Sequence, residues 1–166
     1  MKAEMNLENG TGGIQISVPA LRDGWIPKVH TGFGEDISPE LQIRGLSEKA
    51  RSLAVVVSDL DVPFRGKMAH WVMWNVDPMA VIPGRLPKGA IIENPIHACQ
   101  GIAYGVHCYR GPKQPPFVNA VHRYSFEVYA LDCMMDIPPD SRKNRLLKAM
   151  AGHVLQYGSI EGKYQK

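Results

Sequence analysis

Apolar and polar residues alternate along much of this chain with a period of two, the signature of strands that bury one face. The clearest case is His122–Leu131, where Tyr124, Phe126, Val128 and Ala130 share one side and Ser125, Glu127 and Tyr129 the other. Residues 14–18 (Ile-Gln-Ile-Ser-Val) alternate in the same way, and residues 41–43 suit a short strand. Residues 52–58 form an unbroken, largely β-branched apolar run, which reads as a central strand buried on both faces. Residues 69–76 predict another strand, its inward face carrying His70, Val72, Trp74 and Val76.

Between these runs the pattern breaks. Residues 19–39 are rich in Gly, Pro and Asp, and residues 83–100 carry Pro-Gly, Pro-Lys-Gly and Asn-Pro; both read as loops. After Pro138-Pro139 the period changes to that of a helix. Leu146, Leu147, Met150, Val154 and Leu155 form an apolar stripe, which predicts a helix over residues 140–157 capped by Asp140 or Ser141 and stopped by Gly158. Residues 159–164 read as a last short strand. The whole predicts a mainly β fold: a β-sandwich with one C-terminal α-helix and long functional loops. Residues 1–13 are expected to be a flexible arm, and residues 14–166 a single domain.

Composition agrees with that picture. The chain has 166 residues, 45% hydrophobic and 21% charged, enough for a core without metals or disulfides as staples. Its 16 Gly and 13 Pro favour turns over helical bundles. The formal charge of +3 is spread out; no basic run argues for nucleic acid, and a modest preference for anions is what the balance supports. Cys99, Cys108 and Cys133 make no CxxC pair, and reduced thiols are expected, although one disulfide plus a free thiol stays open. The polar N-terminus lacks the apolar core of a signal peptide and no segment has the length of a membrane span, so a cytoplasmic protein without stable membrane insertion is expected.

The chemistry concentrates at strand ends. Asp59 and Asp61 follow the central strand and share a face if the chain stays extended; they suit either loop capping or the orientation of a basic partner. His70 suits either a satisfied core position or a ligand-binding role. His122 and Tyr124, two apart on one strand, point to the same side at the rim of the core. Gly111-Pro112 and Pro115-Pro116 stiffen the approach to that strand and suit a pocket wall or a plain connection. No HExxH, G-x-S-x-G or Walker loop is present, and no serine stands out as a nucleophile.

In this order these elements resemble the phosphatidylethanolamine-binding (Raf-kinase-inhibitor-like) family. Asp59-Leu60-Asp61-Val62-Pro63 precedes His70-Trp71, and a Gly-Pro-rich loop with Gly111, Pro112, Pro115 and Pro116 leads into His122-Arg123-Tyr124. Tyr129-Ala130-Leu131-Asp132, the stretch Gly34-Glu35-Asp36-Ile37-Ser38-Pro39 and Gly152-His153-Val154-Leu155 resemble the prokaryotic branch. The chain departs from the pattern at Trp25, across residues 93–110 and in the longer connection over residues 117–121.

The resemblance implies a small anion pocket lined by Asp59, Asp61, His70, His122 and Tyr124, with the Gly111-Pro112 loop as one wall. It implies phosphate-like ligands, such as a phospholipid head group or a phosphorylated group, a possible kinase or protease partner, no cofactor, and a homodimer. It also implies a more open site than in animal members, which continue past the position of Tyr164 into a further helix. Asp59 would orient a histidine so that its protonated ring and the Tyr124 hydroxyl donate to the anion. Two other readings stay open at this point: a metal-dependent or His/Asp-based hydrolase in the same pocket, and an interaction domain whose pocket has no ligand.

Overall fold

The structure is a computed structural model and describes residues 13–62 and 67–166. The predicted arm, apart from Gly13, and Pro63 of the Asp-x-Asp-x-Pro run lie outside the described residues. Among the described residues the chain runs β1 (Gln15–Ser17), a 3-10 turn at Lys28–His30, β2 (Leu41–Arg44), β3 (Ser52–Asp59), β4 (Met68–Val76), β5 (Val81–Ile82), β6 (Ile91–Ile92), β7 (Ala98–Gln100), β8 (His122–Leu131), α1 (Lys143–Met150) and β9 (Val154–Tyr164).

Two antiparallel sheets result, a small one ordered β1-β2-β5 and a large one ordered β6-β7-β4-β3-β8-β9. The large sheet is covered on both sides. Leu53, Val55 and Val57 of β3, Trp71 and Met73 of β4, and Phe126 and Val128 of β8 pack with Ile16, Leu41, Ile43 and Ile82 of the small sheet. On the opposite face Ala54, Val56, Val72, Trp74 and Leu131 pack with Leu146 and Met150 of α1. This explains the unbroken apolar run in β3: every one of its residues is buried. At about 1.5–3 kcal/mol for each large side chain removed from water, Trp71 on one face and Trp74 on the other anchor the two layers.

The sandwich with one late helix agrees with the sequence, and several boundaries do not. The helix is α1 alone, eight residues long, with Arg142 at its N-cap rather than Asp140 or Ser141, and with no side-chain cap bond. Gly152, at φ 81°, takes the left-handed conformation after the helix that was assigned to Gly158. Val154 and Leu155 begin β9, which is eleven residues long and runs beside β8. Gly158 sits within it because β1 crosses so closely that a Cβ there would strike the Ile14 carbonyl. The loop at residues 83–100 contains β6 and β7, and β5 precedes it.

The face assignment in β4 also changes. Val57 pairs with Trp71 and Ser58 with Ala69, so His70 is an extra residue with no partner on β3. A second bulge falls at Trp74 and Asn75, the latter at φ 54°. Trp71, Met73 and Val76 therefore face the small sheet, while Val72 and Trp74 face the helix. Strict alternation would send the His70 side chain to the helix side; the bulge turns it toward Tyr124 between the sheets.

Candidate functional site

Asp59 ends β3, His122 starts β8, and antiparallel pairing sets Asp59 opposite Tyr124. This register lets the Asp59 carboxylate accept two bonds. His122 Nδ1 donates to one oxygen at 2.8 Å, and the Asp61 backbone N–H donates to the other at 2.8 Å. The first bond fixes the plane of the imidazole and leaves Nε2 as its remaining ring nitrogen. Both side chains are buried, so the pair is shielded from solvent screening.

The second histidine is held differently. His70 Nδ1 donates to the Arg110 carbonyl at 2.6 Å, and the Arg110 N–H returns a bond to the His70 carbonyl at 3.0 Å. His70 Nε2 is buried and has no hydrogen-bond partner among the described residues. Burial pushes the pKa of His70 below its usual range, against the opposing pull of the Arg110 carbonyl and of Asp59 and Asp36. The two aspartates do pull this pKa upward, and desolvation is the larger effect.

Tyr124 joins the two halves. Its ring meets His70 edge-on at 5.2 Å between centroids. Burial first, and the Asp59 carboxylate next, push its pKa up, so the hydroxyl keeps its proton and stays a donor. Asp59, His70, His122 and Tyr124 thus form one connected cluster from three neighbouring strands, although they are far apart in the sequence. The cluster is closed rather than open: none of the four residues is more than 6% exposed.

Tyr104 supplies part of the cover, with its ring edge-on to His70 at 4.8 Å. It occupies a tight turn between Ala103 and Val106, which exchange backbone bonds at 3.1 Å. Tyr104 has φ 52° and Gly105 φ 71°, as a primed hairpin turn requires. A bulky residue is unfavourable at such a φ and persists only when its surroundings hold it there. Gln100 holds the base of this segment, accepting from Trp71 Nε1 at 2.8 Å and donating to the Gly89 carbonyl at 2.9 Å.

The Gly111-Pro112 loop passes beside the Arg110 anchor. The Gly111 N–H donates to Asp36 at 2.6 Å, and Asp36 also pairs with Arg110 at 3.1 Å. A Cβ on Gly111 would run into the His30 carbonyl, so the close approach of the two loops needs glycine. With the Gly111 N–H engaged and Pro112 lacking one, this loop supplies shape and no free amide at those positions. Asp61 faces Arg123 in a two-point fork, 3.0 Å to both Nε and Nη2, and also accepts from the Arg123 backbone N–H at 2.8 Å. It ties the segment after β3 to β8 instead of turning inward with Asp59.

Sequence reasoning missed Asp36, Tyr104, Tyr109 and the Arg110 carbonyl. Asp36 lay in the quoted Gly-Glu-Asp-Ile-Ser-Pro stretch, which was its only signal. Tyr109 donates to the His30 carbonyl at 2.8 Å and packs edge-on against Trp71, locking the same two loops. A groove of about 510 Å³ along β1, lined by Ile14, Gln15, Ile16, Ser17, Arg44 and Ser159, shares no residue with the cluster. Among the described residues, the Asp, Cys and His side chains grouped tightly enough to share an ion are Asp132, Cys133 and His153, also outside it.

Comparison with known proteins follows the same line. The profile of the phosphatidylethanolamine-binding protein family matches residues 17–165. A UPF0098 protein of Pyrococcus abyssi is 40% identical, over 95% of this chain and 89% of its own. One from Chlamydia muridarum is 37% identical, over 85% of this chain and 91% of its own. Among solved structures, a phosphatidylethanolamine-binding protein homologue from Chlamydia trachomatis superposes with a TM-score of 0.80 at 32% identity, covering 93% of this chain and 98% of that one. E. coli YbcL shares the fold, with a TM-score of 0.78 at 22% identity over 93% of this chain and 99% of that one.

Proposed function

The chain belongs to the phosphatidylethanolamine-binding protein family, and from that premise we propose that it binds a small phosphate-like anion in the cluster of Asp59, His70, His122 and Tyr124. Gly111 and Pro112 form one wall, and Asp61 braces the segment between β3 and β8. The observation that carries this reading is His70 Nε2, a buried ring nitrogen without a partner among the described residues. A buried polar atom left unpaired costs about 1–3 kcal/mol, and an oxyanion bound to the protonated ring removes that cost.

The chemistry follows from the bonds already made. Each histidine uses Nδ1 on a fixed acceptor, the Arg110 carbonyl for His70 and Asp59 for His122. Each has Nε2 left for a ligand oxygen, and Tyr124 adds a hydroxyl that keeps its proton. Asp59 sits behind His122, where it orients the ring and balances its charge rather than meeting the anion. The ligand is a phospholipid head group or a phosphorylated group, and a phosphorylated kinase or protease partner would be engaged through the same contact.

Thermal shift with glycerophosphoethanolamine, O-phosphoserine and inorganic phosphate tests this reading on the parent protein and on His122→Ala. Ligand at a hundred times Kd stabilises by about 2.7 kcal/mol, which a melt resolves easily. The parent is expected to gain melting temperature with at least one of the three and His122→Ala to gain none. Equal shifts in both proteins, or no shift in either, would overturn the proposal.

A further inference from the structure

Beyond the pocket, we propose that Asp132, Cys133 and His153 form a binding site for a zinc-like divalent cation at the junction of β8, α1 and β9. Asp132 and Cys133 directly follow β8, and His153 directly precedes β9. Their ligand atoms all lie within 4.8 Å of one another. His153 Nδ1 is 2.9 Å from the Asp132 carboxylate and 3.4 Å from Cys133 Sγ. For a tetrahedral ion with ordinary zinc–ligand lengths, neighbouring donors are about 3.4–3.6 Å apart. The thiolate–imidazole separation already has that value, and the imidazole–carboxylate pair needs to open by about half an ångström.

The backbone holds the three donors in place before any ion arrives. The Asp132 N–H donates to the His153 carbonyl at 3.0 Å. The Ser52 hydroxyl donates to the Cys133 carbonyl at 2.6 Å, and the His153 N–H donates to the Met150 carbonyl at 2.9 Å. The donors therefore come from three pinned backbone positions, and only side-chain torsions need adjust. The Cys133 thiol also hydrogen-bonds the Asp132 carboxylate, so the three side chains are already turned toward one another.

The donor types choose the metal. One thiolate, one imidazole and one carboxylate suit zinc over calcium or magnesium, which prefer oxygen. When the ion binds, the Cys133 thiol releases its proton to solvent and His153 keeps its proton on Nε2. The thiolate and carboxylate together cancel the charge of the ion. Three protein ligands leave a fourth position for water, and the half-exposed side chains of Asp132 and His153 give solvent access to it. The bound ion would fasten the end of β8 to the start of β9 beneath the last turn of α1.

The test uses untagged full-length protein stripped with chelator, titrated first with cobalt(II) and then with zinc. Cobalt is expected to bind at one per chain and to give a thiolate-to-metal charge-transfer band with the intense visible bands of four-coordination. Zinc should then bleach both and raise the melting temperature. Cys133→Ser and His153→Gln should lose the charge-transfer band or the four-coordinate spectrum while keeping the parent's circular dichroism, and Cys99→Ser should retain both. A cobalt spectrum without thiolate character, or one that persists in Cys133→Ser, would overturn the assignment.

Discussion

Sulfate binding should depend steeply on pH because of how His70 is held. Its Nδ1 proton is committed to the Arg110 carbonyl, so an oxyanion at Nε2 can be bound only if that nitrogen is protonated. In the empty protein, burial holds the His70 pKa below the usual histidine range, so at neutral pH Nε2 presents a lone pair that repels an anion. Sulfate must therefore bring a proton with it. Above the His70 pKa, affinity should fall by about tenfold per pH unit, or about 1.4 kcal/mol. Affinity is thus greatest on the acid side and declines through neutral pH. The hydrogen bond itself, one partner being charged, contributes about 1.5–3 kcal/mol, so His70→Gln should weaken sulfate at mildly acidic pH about tenfold to a hundredfold and flatten the slope. Calorimetry at fixed ionic strength, in buffers of different ionisation enthalpy, reads both affinity and proton uptake. Sulfate is the probe because its charge is constant over this interval, whereas phosphate titrates near neutrality. Flat affinity from about pH 6 to about pH 8, with no proton taken up, would refute the reasoning.

Three substitutions probe the rest of the cluster. Asp59→Ala leaves the His122 Nδ1–H and the Asp61 N–H without an acceptor in a buried place; a loss of about 2–5 kcal/mol is expected in urea unfolding, and a loss within error would contradict the geometry. Gly111→Ala forces a Cβ against the His30 carbonyl and should cost about 2 kcal/mol or more by the same measurement, with loosened contact between the two loops. Tyr104→Gly removes a side chain from a left-handed φ and uncovers His70; stability should change by less than about 1 kcal/mol while sulfate associates faster in stopped flow, and an unchanged association rate would show that Tyr104 is not the cover.

Sequence pattern reached some features and stopped short of others for identifiable reasons. His122–Leu131 was legible to the residue because Tyr124, Phe126, Val128 and Ala130 pack into the core shared with the small sheet, although Tyr129 and Leu131 on the other face are buried as well, on the helix side. The end of α1 was not, because Val154 and Leu155 satisfy a helical stripe and a strand equally well; what decides is Gly152, a glycine whose backbone conformation sequence does not display. Strands of two or three residues such as β6 and β7 carry no period; β7 forms on the edge that β4 offers, and β6 on the edge of β7. His70 was found through the resemblance, but its orientation depends on a bulge, and a bulge is a mismatch between two strands that neither strand announces alone. The anchors of the site were hidden for a related reason. A carbonyl such as that of Arg110 is present at every residue, and only the fold selects which one receives the ring. Tyr104 lay in the stretch that departed from the family pattern, so resemblance had nothing to say about it.

The central claim is that one anion engages both histidine rings through their Nε2 atoms, and long-range nitrogen–proton NMR of the imidazoles observes those atoms directly. Sulfate should be titrated into labelled protein at mildly acidic pH and fixed ionic strength. The account predicts that the His70 Nε2 signal moves toward the protonated position, that the His122 Nε2 signal shifts with it, that both saturate with one dissociation constant, and that those of His153 stay unchanged. Nε2 signals of His70 and His122 that stay still while sulfate demonstrably binds would contradict it.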